Sequence, residues 1–334
     1  MMPFLMVDKG DKMKIWINRL LVAVASVVAV SAAGAADDFP IRPITLLVTY
    51  PAGGSVDVTA RILQGPLARE LGQPVIVENR GGAGGTIATA LVAKAPADGY
   101  TVMLTLSSHT INPALFSKLQ FDTEKDFAPI SLIASTPQIL VAHPSFQPSS
   151  LEELVKYARG RSEGIPYGSA GTGSPGHMAG ELYRIKTGLA LFHVAYRGGG
   201  PATLDVLGGQ IPLLWVSLPA IAQHIKSGKV KALAVSTSAR FPAFPDVPTV
   251  AESIPGFNVD SWNAMFVPAR TPPAVIKKIE QAVMAVTRQP AIQKALLEQG
   301  ATSVGSSALE LDKVVKAEIP LWRSLTKEAN IKID

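Results

Sequence analysis

The chain has 334 residues, 47% of them apolar and 17% charged, with a formal net charge of +5 and no cysteine. Single hydrophobic cores stop growing at roughly 250–300 residues, so a chain of this length and composition can divide its core between two lobes. The lack of cysteine excludes disulfides, thiolate catalysis and Cys-ligated metals, and a mild basic excess without basic runs or interleaved aromatics argues against a nucleic-acid partner.

The first feature in chain order is a segment with Lys14 and Arg19 ahead of an apolar run over 20–30, followed by small residues at Ala33, Gly34 and Ala35. This three-part pattern predicts a secretory signal peptide over 1–35, with Met13 as an alternative start because residues 1–12 match no part of it. The run is too short for a membrane span, which needs about 20 residues. Cleavage removes Lys9, Lys12, Lys14 and Arg19 together with Asp8 and Asp11, and the weak positive excess that remains suits small anionic ligands. An exported chain without disulfides has only its core to stabilise it, which fits a bacterial periplasm.

Beyond the signal, short β-branched runs alternate with helical patterns. Strands are predicted at 44–50, 75–79, 101–106, 131–142 with a break at Pro137, 165–168, 191–195, 213–216, 230–236 and 264–267. Several are continuous apolar runs, as expected of strands covered on both faces. Val56, Ala60, Leu63, Leu67 and Leu71 recur at helical spacing, and Gly72 ends that segment. Ser150 and Glu153 form a capping-box pattern at the head of a helix that Gly160 would stop. The tail over 273–329 reads as mostly helical, with breaks at Pro290 and at 300–307. The alternation predicts an α/β, doubly wound architecture.

Glycine concentrates where strands hand over to helices, in YPAGGSVD (50–57), NRGGAGG (79–85), GSAGTGSPGH (168–177) and YRGGGPA (196–202). A fifth strand end, LSSHTINP (106–113), carries hydroxyls instead. Ligands of open α/β sheets bind at the carboxyl ends of the strands, where helix N-termini offer free N–H groups and a positive dipole end. Gly171, Gly173 and Gly176 match the G-x-G-x-x-G dinucleotide fingerprint. Yet the strand before it is short and contains Pro166, and the next one ends in Tyr196 and Arg197 where a ribose-binding acid is required. The nucleotide reading therefore fails, and anion binding by backbone N–H groups survives it.

Each candidate side chain also has a structural reading. Asp57 complements a helix dipole, Ser107 and Ser108 are turn hydroxyls, Arg80 and Arg197 are solvated charges, and Tyr50 and Trp262 are core aromatics. Enzyme signatures are sparse. His109, His143, His177, His193 and His224 are scattered without metal-ligand spacing; GGSVD is no nucleophile elbow, and RGGAGGT lacks the P-loop lysine. Ser107 with His177 and Asp57 is the arrangement left for a serine hydrolase. No cofactor and no metal are expected.

Nine segments, in order, carry a resemblance: PAGGSVDVTAR, VIVENRGGAGG, DGYTVMLTLSSHTINPAL, DFAPISLIA, YGSAGTGSPGHMAGEL, HVAYRGGGPATLDVLGGQI, IKSGKVKALAVSTSAR, FPDVPTVAES and FVPARTPPAVI. Together they resemble the extracytoplasmic solute-binding proteins of tripartite tricarboxylate transporters, the Bug or TctC-like family. The resemblance implies a two-lobed periplasmic binding protein of the Venus-flytrap, type II-like kind, with a doubly wound sheet in each lobe. Lobe 1 would comprise 36–138 plus 260–334, and lobe 2 would comprise 139–259. It further implies a monomeric, non-enzymatic carrier of a small mono- or dicarboxylate with an aliphatic or aromatic body. That carrier would serve a membrane permease of one large and one small subunit, or alternatively present its ligand to a sensor.

Carried over by position, Gly53, Gly54, Ser55 and Asp57 fall in the family's P-x-G-G-x-x-D loop, and Ser107, Ser108 and Thr110 in its hydroxyl-rich third loop. Ser169, Gly171, Thr172, Gly173 and Ser174 fall in the second lobe's G-S-x-G-x-G-S loop, Tyr50 stands where an aromatic lines the cleft, and Trp262 and Val216 join them as candidate ligand contacts. The carboxylate clamp is thus expected to pair YPAGGSVD with GSAGTGSPGH. Three departures stand out. Pro212 and Val216 replace aspartates of relatives, and Val216 would make the pocket less suited to an amino group and more to an apolar one. Gly81 replaces a proline, which implies only a change in loop stiffness.

Overall fold

Two mixed sheets, rather than purely parallel ones, organise the chain from Arg42 onward in the computed structural model, which describes residues 39–159, 161, 163–328 and 331. The expected signal peptide, Gly160 and the end of the helical tail lie outside the described residues. The first sheet contains β1 (Ile44–Val48), β2 (Val75–Asn79), β3 (Thr101–Leu106), β4 (Phe127–Ser135), β10 (Trp262–Pro268) and β11 (Thr302–Ser303), in the order β11-β4-β10-β3-β1-β2. The second contains β5 (Gln138–Ala142), β6 (Ile165–Ser169), β7 (Leu191–Ala195), β8 (Leu213–Ser217) and β9 (Lys231–Val235), in the order β7-β6-β8-β5-β9. Pairing is parallel at β1–β2, β1–β3, β6–β7 and β6–β8. It is antiparallel where β10 meets β3 and β4, and where β5 meets β8 and β9.

The break expected at Pro137 is a change of sheet. A proline has no N–H for a ladder, and there the chain leaves the first sheet at β4 and enters the second as β5. It returns after β9, through residues 236–261, into β10. The two passages are tied together: Thr136 N–H donates to Ser261 O (2.7 Å), Gln138 N–H to Ser236 Oγ (3.0 Å), and Ser236 Oγ to Val259 O (2.6 Å). Two expectations needed revision. β4 begins at Phe127, ahead of the predicted 131, because Phe127 to Pro129 pair with β10 through an irregular register that accommodates the proline. β11 was not legible, since its two residues are extended by pairing with Ser135 and Ala134 rather than by their own pattern.

The helices are α1 (Ser55–Leu71), α2 (Thr86–Ala93), α3 (Ser108–Leu115), α4 (Leu151–Ala158), α5 (Pro175–Thr187), α6 (Gly199–Leu207), α7 (Ala222–Lys226), α8 (Pro273–Thr287), α9 (Pro290–Glu298) and α10 (Ala308–Glu328). α1 ends at Gly72 with φ +70°, the left-handed stop that glycine adopts without steric cost. Pro290 opens α9 rather than merely interrupting the tail, as its missing N–H permits in a first turn. Ser150 caps α4 by accepting Glu153 N–H, but the Glu153 carboxylate takes the Ser149 N–H, so the box is displaced by one residue. Side chains alternate across the second sheet. Leu213 and Trp215 join Tyr167, Met178 and Tyr183 on one face, and Leu214 and Val216 join Val206, Ile211 and Ala220 on the other. Both faces are covered, which is the α/β arrangement the apolar runs predicted. Among the described residues, no helix is long and apolar enough to cross a membrane.

Candidate ligand-binding cleft

The turn after β1 is built from glycine, tyrosine and one aspartate. Tyr50 is buried, and its hydroxyl donates to Ser108 Oγ (2.9 Å) while its carbonyl accepts from Asn79 Nδ2 (3.1 Å). Burial pushes its phenol far above the ordinary value, so it stays a neutral hydroxyl. Gly53 takes φ +80° and donates its N–H to Asp57 Oδ2 (2.9 Å). The same carboxylate receives Arg61 Nε (3.0 Å) and pairs through Oδ1 with Arg61 Nη2 (3.0 Å). Asp57 thus shapes its own loop and helix. The N-cap of α1 is Gly54, which has no side chain to satisfy the first-turn N–H groups.

Facing this loop is the segment 198–200, which opens α6. Its N-cap, Gly198 (φ +142°), likewise offers no side-chain acceptor. A Cβ on Gly54 would lie 3.9 Å from Gly199 N, and one on Gly199 would lie 3.6 Å from Gly54 Cα. A Cβ on Gly200 would collide with the Ala52 carbonyl. Backbone meets backbone here, and at Gly200 the approach is close enough that only glycine permits it.

A narrow cavity of about 10 Å3, room for about one water, lies where the two helix starts meet. Gly54, Ser55 and Gly199 form its polar side with Tyr50 and Ser217, whose Oγ accepts from Gln138 Nε2 (2.9 Å) and keeps its own proton to donate. The rest of the lining is Val56, Leu106, Ala170, Val216 and Ala220. The wall includes no lysine, arginine, histidine or carboxylate.

Of the residues singled out in the sequence, Tyr50, Gly54, Ser55 and Val216 come together at this cavity, with Gly53 beside it against Gly200. Ser107 and Ser108 stand behind Tyr50, Ser107 in a hydrogen bond with Ser261 Oγ (2.9 Å). Thr110 and Trp262 do not line it. Both turn to Glu318 of α10, Thr110 Oγ1 donating to Oε2 (2.6 Å) and Trp262 Nε1 to Oε1 (3.0 Å). Burial holds that carboxyl above the usual carboxylate range, and these donors partly offset the effect.

The G-x-G-x-x-G loop holds itself together. Ser169 Oγ contacts His193 Nε2 (2.6 Å) and accepts Gly171 N–H (3.1 Å), while Ser174 caps α5 by accepting His177 N–H (3.3 Å). Its outward side meets α3 and the 79–85 loop. A Cβ on Gly173 would lie 2.7 Å from Asn112 Oδ1, and one on Gly84 would lie 2.7 Å from Thr172 O. The loop lends Ala170 to the cavity, but the segment directly opposite Gly53 and Gly54 comes from YRGGGPA. That fourth glycine cluster was the readable signal for Gly199. Leu106, Ala170 and Ala220 carried none, being ordinary apolar residues.

The structure also places three further features singled out in the sequence. Gly81 packs under the Pro51 ring, where any Cβ would collide, so its role is spatial and not only a matter of stiffness. Pro212 lies at the end of β8 away from Ser217, its carbonyl accepting His143 N–H (3.0 Å), and so stands apart from the cavity. Ser107, His177 and Asp57 do not assemble a triad: Ser107 is bonded to Ser261, Asp57 to Gly53 and Arg61, and His177 stacks on His193 at 4.1 Å.

The tripartite tricarboxylate transporter family receptor (TctC) pattern matches residues 59–331. Protein BugT of Bordetella pertussis is 35% identical over 322 residues, spanning 95% of this chain and 99% of BugT. The structure of the periplasmic binding protein BugD superposes with a TM-score of 0.85 at 35% identity, covering 88% of this chain and 99% of BugD. That of R. palustris Rpa4515 with adipate superposes at 0.86 and 34% identity, covering 88% and 99%.

Proposed function

The chain belongs to the tripartite tricarboxylate transporter receptor family, and we propose that it is an exported periplasmic solute-binding protein that captures a small carboxylate and delivers it to a membrane permease of one large and one small subunit. It is a ligand receptor of the two-lobed α/β type and not an enzyme. The observation that carries the reading is the meeting of two uncapped helix starts, α1 and α6, at one cavity that has no charged side chain. Each helix end favours an anion by roughly 0.3–1 kcal/mol, and by more when partly buried. The adipate held by Rpa4515 supports the ligand class.

The lobes divide near 138 and 260, where the chain passes between sheets. Tyr50, Gly53, Gly54 and Ser55 from one side, with Val216 and the 169–174 loop from the other, are the residues assigned to the ligand and its surround. A ligand touching both sides favours the closed arrangement and a monomer suffices for capture. A thermal-shift screen of carboxylates, amino acids, sugars and cations tests this. A ligand at 100 times its Kd raises stability by about 2.7 kcal/mol, so acids should stand out. Hits confined to sugars or cations would overturn the assignment.

A further inference from the structure

Resting on the receptor reading, we propose that His177 and His193 are positioning residues: as neutral rings they hold the 169–174 loop against α3 and the 79–85 loop, and taking up protons releases it. The loop borders the candidate site through Ala170. Its outer edge fits closely, since a Cβ on Gly173 would meet Asn112 Oδ1 and one on Gly84 would meet the Thr172 carbonyl, each at 2.7 Å. From behind, the loop gathers on one buried hydroxyl, Ser169 Oγ. This oxygen accepts Gly171 N–H (3.1 Å) and, at the longest of its three ties, the Ser174 hydroxyl (3.3 Å); its shortest contact is His193 Nε2 (2.6 Å).

A hydroxyl has two lone pairs and one proton. With both lone pairs taken, the Ser169 proton points to His193, a nearer acceptor than Gly171 O (3.2 Å), and His193 must present a bare Nε2. His177 meets the same requirement at the other end of the loop, where its Nδ1 accepts Gly173 N–H (3.4 Å). The two rings stack with centroids 4.1 Å apart. Protonation turns each acceptor into a donor: His193 Nε2–H would displace a donor from Ser169, and His177 Nδ1–H would oppose Gly173 N–H. Two stacked cations would also repel.

The ionisable neighbours do not offset this. Glu181 of α5 already receives the Tyr167 hydroxyl (2.7 Å) and Arg184 Nε (2.9 Å). The Tyr167 ring lies 5.3 Å from that of His193, and Tyr196 gives its hydroxyl to Asp205 (2.8 Å). Burial, reinforced by His177, holds His193 down at about 3, and burial holds His177 below its ordinary value against the pull of Glu181. In a released loop both rings return toward the ordinary value of 6.5. The held form has the lower values, so its advantage is complete above pH 6.5. It falls as pH drops below that, by up to about tenfold per ring per pH unit.

Amide hydrogen exchange of the purified chain at about pH 7 and about pH 5, corrected for the intrinsic rate, reads the loop without any ligand. Protection over 169–177 should fall at least about tenfold more than protection of β1 and β3. The doubly substituted His177→Gln/His193→Gln chain has amide oxygens that accept without titrating, and its loop should fall no more than those strands do. A native loop that loses no more than β1 and β3 would overturn the inference, and that profile decides even where the variant lacks a cooperative melt. An extra loss of equal size in both chains would place the titrating group elsewhere and overturn it too. Adipate affinity, titrated on the same two chains, should drop at least about tenfold more for the native chain between the two pH values. Equal drops would show that the held loop does not serve capture. No binding of adipate at about pH 7 would count against carboxylate capture, while exchange still judges the two histidines.

Discussion

At the scale of single residues, burial without a partner is as informative as bonding. His109, in the first turn of α3, is 2% exposed, and neither ring nitrogen has a hydrogen-bond partner. Its neighbours are the rings of Phe121, Phe127 and Phe266, at 6.4, 5.1 and 4.7 Å. Desolvation pushes the imidazole down to about 3, so it stays neutral in the folded chain. Above pH 6.5 neither folded nor unfolded chain protonates it, and it makes no pH-dependent contribution. Between 6.5 and about 3 the unfolded chain binds a proton that the folded chain refuses, and stability falls as pH falls, by about 1.4 kcal/mol per pH unit. From pH 7 to pH 5 the native chain should therefore lose about 2 kcal/mol more than His109→Leu in urea unfolding. Equal losses would show that the buried imidazole is not the cause. The sequence placed His109 only among scattered histidines, because nothing local announces an aromatic cage assembled from β4, β10 and the 116–126 connection.

At the scale of elements, the helices around the cleft differ in how their first turns are satisfied. α5 is capped by its own Ser174, which also donates to Ser169 Oγ (3.3 Å) and so links the cap to the 169–174 loop. α1 and α6 begin with glycines that cannot cap. On the proposed reading, α5 holds its own loop and α1 and α6 are left for the anion. Ser174→Ala should lower the unfolding free energy by about 1 kcal/mol, the usual worth of an N-cap hydroxyl, while carboxylate affinity falls less than threefold. A loss of binding beyond tenfold would mean that the α5 start itself holds the ligand. At this scale YRGGGPA lies directly opposite Gly53 and Gly54; it and GSAGTGSPGH are both glycine-rich strand-to-helix loops, and sequence composition could not rank one against the other.

At the scale of the whole molecule, the proposed closure would depend on backbones that touch between the 51–54 turn and the start of α6. Gly200 is the clearest position for a test, because it sits in the first turn of α6 and its Cβ would strike the Ala52 carbonyl of the facing turn. Alanine suits a helix better than glycine by up to about 1 kcal/mol, so Gly200→Ala should leave the melting temperature of the ligand-free chain unchanged or raised. Closure, by contrast, should be blocked: affinity should fall at least tenfold, and small-angle scattering should show no compaction on adding ligand. Native-like affinity would mean that the lobes need not approach this closely. Periodic apolar runs, Gly72, Ser150 and Pro290 made most strands and several helix ends legible, because such signals act through neighbours in the chain, and the order of nine segments carried the family. Only the tertiary structure decided that 131–142 is two strands in different sheets, that Thr110 serves Glu318 across 208 residues, and that Gly53 and Gly54 face Gly199 and Gly200. Those outcomes depend on strand order and on the two tied passages near Pro137 and Ser261. Long-range pairing sets both, and residue pattern along the chain does not encode which loops it will bring together.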